Sequence, residues 1–366
     1  MNTNIEVSLI NRQIIRTRAS QNSFDKKSNK TRICLYDFFS INEIKVCKKI
    51  LKMPYYFNYF DTMYDFDFIK VVGELKGINI DIDTDNNADK IDFINTNTKN
   101  DEKYILCRYN DEKKTTLNEY LFNSKNPKLV ISRIFESYSY LLCSLMRLNV
   151  SKICFFDLSA ESIVFPVHMK PLLKNFQNCL ITDILDEVYI GKIISKITNF
   201  AYKPLEVHVL FYLIINNEET LSYSLIDIIC DNYVKHMDIL SLFSQNYRET
   251  YKKTSIELLT KYINKPKSVI IKDILSYTKY WDNYSISVLY LHIIGNICKC
   301  FSLKDTIMNK FTTHLIKNIH PNPLKRETLE GSFEKYDKLF EDATDLSFMR
   351  DITQENMEKL FIVLQK

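Results

Sequence analysis

The chain has 366 residues, 46% of them hydrophobic and 26% charged, with a net charge of +4. That length suits two domains or two lobes and a sizeable core, and so small a positive excess, without a basic stripe, argues against a nucleic-acid binder. Nine cysteines without a CxxC spacing and six dispersed histidines exclude a disulfide framework and a structural zinc site from the expectation.

In chain order, the first hundred residues read as strands broken by polar loops. Ile33–Phe39 is expected as a buried strand, and Asn42–Lys52 as a helix because Ile44, Cys47 and Leu51 recur at helical spacing. Phe66–Val72 is a further strand, Asp81–Lys103 a long polar loop, and Tyr104–Tyr109 a strand followed by a polar bend. From Leu117 the pattern turns helical. Ile131, Ile134, Phe135, Tyr138, Leu141, Leu142, Leu145 and Leu148 step by threes and fours along one apolar face. Three brief apolar segments follow, Ile153–Phe156, Ser162–Val167 and Cys179–Thr182, too short for helices and read as small strands. Beyond Pro204 the chain is almost wholly helical, with breaks near Asn216, Asn264–Pro266 and Pro321; Pro266 suits a first helical turn. The N-terminus has no signal-peptide core, and the longest apolar run, Val209–Ile215, is too short to span a bilayer. An intracellular, cytoplasmic protein without a membrane span is expected.

Two carboxylates stand out. Asp157 follows an apolar strand in Phe155-Phe156-Asp157-Leu158-Ser159-Ala160-Glu161-Ser162, and 26 residues later Asp183 ends a second one in Leu180-Ile181-Thr182-Asp183. Two carboxylates after neighbouring strands suit phosphoryl transfer: one accepts the proton of the attacking hydroxyl, the other holds Mg²⁺. An Asp in such a place also serves as a cap or turn residue.

At these residues the chain resembles the protein-kinase family. Asp157 and Leu158 match the catalytic-loop pattern H-R-D-L-x-x-x-N, with Phe155 and Phe156 for His and Arg, Ser159 for the loop Lys and Ser162 for the metal-binding Asn. Asp183 matches the Asp of D-F-G, with Ile184 and Leu185 for Phe and Gly. Lys203-Pro204-Leu205-Glu206 resembles A-P-E, Trp281-Asp282-Asn283-Tyr284-Ser285 resembles the D-x-W-S helix start, and His320–Arg326 resembles the segment whose Arg pairs with the A-P-E Glu. These five features stand in the family's order. About seventy residues separate Glu206 from Asp282, a helical insert.

The resemblance implies an α+β, bilobal protein-kinase-like fold: a small strand-rich N-lobe over 1–108, a mostly helical C-lobe over 109–340 with an insert at about 209–280, and a helical tail over 341–366. It implies a divergent serine/threonine protein kinase using ATP and Mg²⁺ on a protein substrate, similar to kinase-like proteins of large DNA viruses, whose location would be the host cytoplasm or the virion. Asp157 is then the catalytic base, Asp183 and Ser162 the Mg²⁺ ligands, Glu43 the partner of a phosphate-holding base (Lys30, Arg32 or neither), and Glu206–Arg326 and Asp282 structural. The alternative is a weak or inactive pseudokinase acting as a protein-binding scaffold. Residues 1–72 contain no glycine for a phosphate-covering loop, and Tyr36 stands where the strand lysine is expected.

Overall fold

The computed structural model describes residues 29–72, 79–83, 103–110, 112–124, 126–167, 170–298 and 306–341. The expected helical tail beyond Glu341 and most of the expected 81–103 loop lie outside them. The chain divides into two compact units, residues 1–114 with 174–178, and residues 115–173 with 179–366. The sequence-based boundary, after 108, lies six residues short of the first division.

In the first unit, strand β1 (Asn29–Leu35) leads into helix α1 (Phe38–Leu51), and strands β2 (Asp65–Val72), β3 (Asn79–Asp83) and β4 (Lys103–Asn110) follow. They form one antiparallel sheet of spatial order β1-β4-β2-β3. The start of α1 differs from expectation. Phe38 and Phe39 read as strand by aromatic propensity, but the Asp37 carboxylate accepts the Ser40 N–H at 2.8 Å and starts the helix there. Ile41, Ile44 and Ile50 of α1 are buried, as are Ile105 and Cys107 of β4. Asp81–Asp83 is also a correction: it belongs to β3, paired with Phe68–Lys70. Its Asp-Ile-Asp sequence carries too few apolar residues for periodicity to flag a strand.

Strand β5 (Lys114–Thr116) begins on the last residue of the 1–114 stretch and leads into α2 (Leu117–Phe122) of the second unit, with a reciprocal cap between Thr116 and Glu119. Helix α3 (Pro127–Val150) begins with proline at its first position and Asn126 accepting the Lys128 N–H at 3.0 Å. Val130, Ile134, Leu141, Leu145 and Leu148 are buried along it. Among the described helices, only this one has the length and hydropathy of a membrane span over Lys128–Val150, and more than half of that stretch is buried inside the unit. Four short strands follow: β6 (Ile153–Cys154), β7 (Ile163–Pro166), β8 (Leu172–Leu173) and β9 (Leu180–Ile181). The sheets are β5-β7-β8 and β6-β9.

The rest is helical: α4 (Glu187–Ile194), α5 (Leu205–Leu210) running into a π-helical turn at Phe211–Ile215, α6 (Tyr223–His236), α7 (Gln245–Leu259), α8 (Lys267–Leu275), α9 (Trp281–Cys298), α10 (Ile307–Asn318) and α11 (Leu329–Glu341). Pro266 is the N-cap of α8, one position before the expected first turn. The insert packs on its own unit. Ile226, Ile229 and Cys230 of α6 and Leu259 of α7 are buried. The Tyr233 hydroxyl from α6 lies 2.8 Å from that of Tyr251 on α7 and 2.9 Å from that of Tyr284 on α9.

Candidate functional site

One strand pair, β6 with β9, sets Ile153 opposite Ile181 and Cys154 opposite Leu180 and so places the Asp157 and Asp183 segments after neighbouring strands. The pairing is antiparallel, so the two carboxylates leave this short ladder in opposite directions along it. After β6 the chain turns sharply. Phe156 has a φ of 64° and the Asp157 N–H reaches back to the Phe155 carbonyl at 2.7 Å. A bulky residue with positive φ costs about 1–3 kcal/mol and persists only where its surroundings enforce it.

Asp282 enforces it. Buried at the start of α9, its carboxylate accepts the Phe155 N–H and the Phe156 N–H, each at 2.8 Å, and the Cys154 thiol at 3.4 Å. Burial pushes the Asp282 carboxyl above the ordinary carboxylate range, and the two N–H groups pull it back. The loop thus hangs from a helix 126 and 127 residues further along the chain.

Asp157 is held from its other side. Lys203 donates to its Oδ1 at 2.8 Å and to the Phe156 carbonyl at 2.6 Å. The lysine is 1% exposed, whereas the Asp157 side chain keeps 39% exposure. Sequence reasoning quoted Lys203 within the A-P-E-like segment and assigned it no role. Its position three residues before Glu206 was the only signal.

Glu206 and Arg326 pair as expected. Two parallel hydrogen bonds of 2.9 Å join them, and their side chains are 5% and 0% exposed. The guanidinium also donates to the His320 and Pro321 carbonyls and lies 4.9 Å from the Tyr284 ring centroid. Four of the guanidinium's five N–H groups thus meet oxygens, which offsets the cost of burying the charge.

In the first unit, the Arg32 guanidinium of β1 lies 2.7 Å from Glu43 Oε2 of α1, and the Tyr109 hydroxyl of β4 donates to Oε1 at 3.2 Å. Arg32 and Cys107 are register partners, so Arg32, Cys34, Cys107 and Tyr109 share one sheet face. Arg32 Nε also reaches the Cys34 sulfur at 3.0 Å. Arg32 is therefore the base that meets Glu43, and the Lys30 side chain lies outside the described residues. Glu43 is 6% exposed in its side chain and Arg32 44%.

Asp183 is exposed in a single 3₁₀ turn, Thr182–Ile184. The Ser162 hydroxyl is buried and serves its own loop, donating to the Ser159 carbonyl at 2.7 Å and accepting the Ser159 N–H at 3.0 Å. Among the described residues, no group of three or more His, Cys, Asp or Glu side chains converges as a metal site. No family model matches the chain, and no curated protein matches it.

Proposed function

We propose that the protein is a divergent serine/threonine protein kinase, transferring the terminal phosphoryl group of ATP to a protein hydroxyl. The observation that carries this reading is the Asp157 loop: a half-exposed carboxylate on a turn fixed from both sides by Asp282 and Lys203. Such a carboxylate has the geometry and exposure of a general base for an incoming hydroxyl. Arg32, paired with Glu43 yet 44% exposed, has donors to offer a phosphate.

Fit to Mg²⁺ is partial. Asp183 is an exposed carboxylate and suits a hard cation. The Ser162 hydroxyl does not, because it is buried and bonded twice to Ser159. When bound, Mg²⁺ supplies charge neutralisation on the phosphates; the protein's own part is to orient the hydroxyl and take its proton.

The test is phosphate transfer from labelled ATP to a mixed protein substrate, comparing the wild type with Asp157→Ala and Asp183→Ala. Transfer by the wild type, lowered at least a hundredfold in Asp157→Ala, supports the reading. Equal signal in all three overturns it.

The engaged Ser162 hydroxyl and the glycine-free first 72 residues favour a second reading, a silent kinase-like scaffold. Thermal denaturation with millimolar ATP and Mg²⁺ separates the two. A kinase or nucleotide-binding protein is stabilised, and a scaffold without a nucleotide site is not.

A further inference from the structure

An ammonium group is rarely sunk in a protein without a specific counter-charge, because burial strips its hydration. Lys203 is such a group. It precedes α5 on a turn closed by its own N–H to the Phe200 carbonyl at 2.9 Å. Its side chain is 1% exposed, and the ammonium lies 4.6 Å from the Phe156 ring centroid, over the residue whose carbonyl it binds. Its counter-charge is Asp157, 46 residues away in sequence. The partners differ in exposure. The buried Glu206–Arg326 pair closes on itself, with both members out of water. Lys203–Asp157 is lopsided: the cation is sealed and the anion opens to solvent. The Asp157 carboxylate therefore keeps accessible surface for a substrate hydroxyl while its counter-charge is enclosed.

The loop carrying Asp157 has no cation of its own from Phe155 to Ser162. One carboxylate oxygen and the carbonyl of the preceding residue are both held by a single ammonium. That two-point grip ties one carboxylate oxygen to the loop backbone. A general base works within hydrogen-bond reach of one hydroxyl proton, so its orientation enters the rate directly.

We propose that Lys203 is the positioning residue of the phosphoryl-transfer step, holding the Asp157 side chain aimed at the substrate hydroxyl. This rests on the kinase reading given above. In the step, the substrate oxygen forms a bond to the terminal phosphorus of ATP and the bond to the leaving diphosphate oxygen breaks with its electron pair. The hydroxyl proton passes to Asp157. Lys203 exchanges no proton; it acts through the carboxylate.

The experiment compares wild type, Lys203→Met, Lys203→Arg, Asp157→Asn and the double variant Lys203→Met/Asp157→Asn. Steady-state transfer from ATP in the presence of Mg²⁺ is measured beside calorimetric ATP binding. The expected result is a fall in kcat of about a hundredfold for Lys203→Met, with KM and nucleotide affinity within twofold of wild type. Lys203→Arg keeps the charge and recovers about tenfold of that loss. In the Asp157→Asn background, Lys203→Met adds no further loss, since there is no carboxylate left to aim. Wild-type kcat in Lys203→Met, or a loss that simply multiplies with that of Asp157→Asn, overturns the proposal while leaving the kinase reading intact. A loss of nucleotide affinity parallel to kcat also overturns it, as a general loosening of the fold. Should Lys203→Met fail to fold, Lys203→Arg decides: a lowered kcat at unchanged KM supports the proposal, and a wild-type kcat overturns it. A wild type that neither binds nor turns over ATP removes both readings together.

Discussion

Two Arg–Glu pairs, one in each unit, have similar distances and opposite settings. Glu206–Arg326 is sealed, bidentate and supplemented by two backbone carbonyls and a tyrosine ring. Arg32–Glu43 buries its carboxylate but leaves the Arg32 side chain 44% exposed, with an oxygen contact of 2.7 Å. A short distance alone therefore does not assign a role. The sealed pair has no capacity left for a ligand, and removing either member leaves the other charge stranded. The open pair keeps its cation partly in water and retains donors for an anion.

The largest expected effect breaks the sealed side. Arg326→Leu leaves Glu206 buried and unpaired and costs about 3–5 kcal/mol, read as a drop in urea midpoint. Acid comes next, and acts on the same unit. Burial drives the imidazole of His208, on the helix that carries Glu206, down to about 3, and that of His314 on α10 down to about 4. Both folded values lie below the unfolded value of 6.5, so the unfolded chain binds more protons in between. Their contribution is complete above about pH 6.5 and is lost as pH falls, through about 4 for His314 and about 3 for His208. For His314 alone the loss is on the order of 3 kcal/mol. Urea midpoints between pH 7.5 and 4.5 should fall, with a shallower slope in His314→Gln. Asp282→Asn is expected to cost about 1–3 kcal/mol, because one of two buried N–H groups loses its acceptor. A drop in transfer rate larger than its effect on nucleotide affinity would tie the loop's posture to chemistry. The smallest stability effect belongs to the open pair. Arg32→Gln should cost about 1 kcal/mol, because it weakens the donors to the buried Glu43 carboxylate while the Tyr109 hydroxyl stays; on the kinase reading it should also abolish the thermal stabilisation by ATP. An unchanged nucleotide response would remove Arg32 from the binding role.

Much of this was legible in the residues. The long apolar face of α3 and the short strands around Asp157 and Asp183 followed from spacing, and the Glu206–Arg326 pair from the resemblance to the protein-kinase family. The start of α1 did not, because one Asp37 hydrogen bond outweighs the aromatic strand preference of Phe38 and Phe39. The Lys203–Asp157 contact was invisible because it joins two loops far apart in sequence, and no periodic pattern records such a meeting. Ser162 shows a further limit. Its residue type suits an oxygen ligand, and only its surroundings reveal that the hydroxyl is engaged by Ser159.

The tyrosine cluster bears on how the chain could be dissected. Tyr233 and Tyr251 sit within the insert, and their hydroxyls meet that of Tyr284 on α9, which also donates to Met237. Excising 209–280 would delete three of these four residues and leave the Tyr284 hydroxyl, fully enclosed in the intact chain, facing a void. The insert is thus no detachable module: a minimal version of the second unit has to keep its helices or rebuild the wall they make.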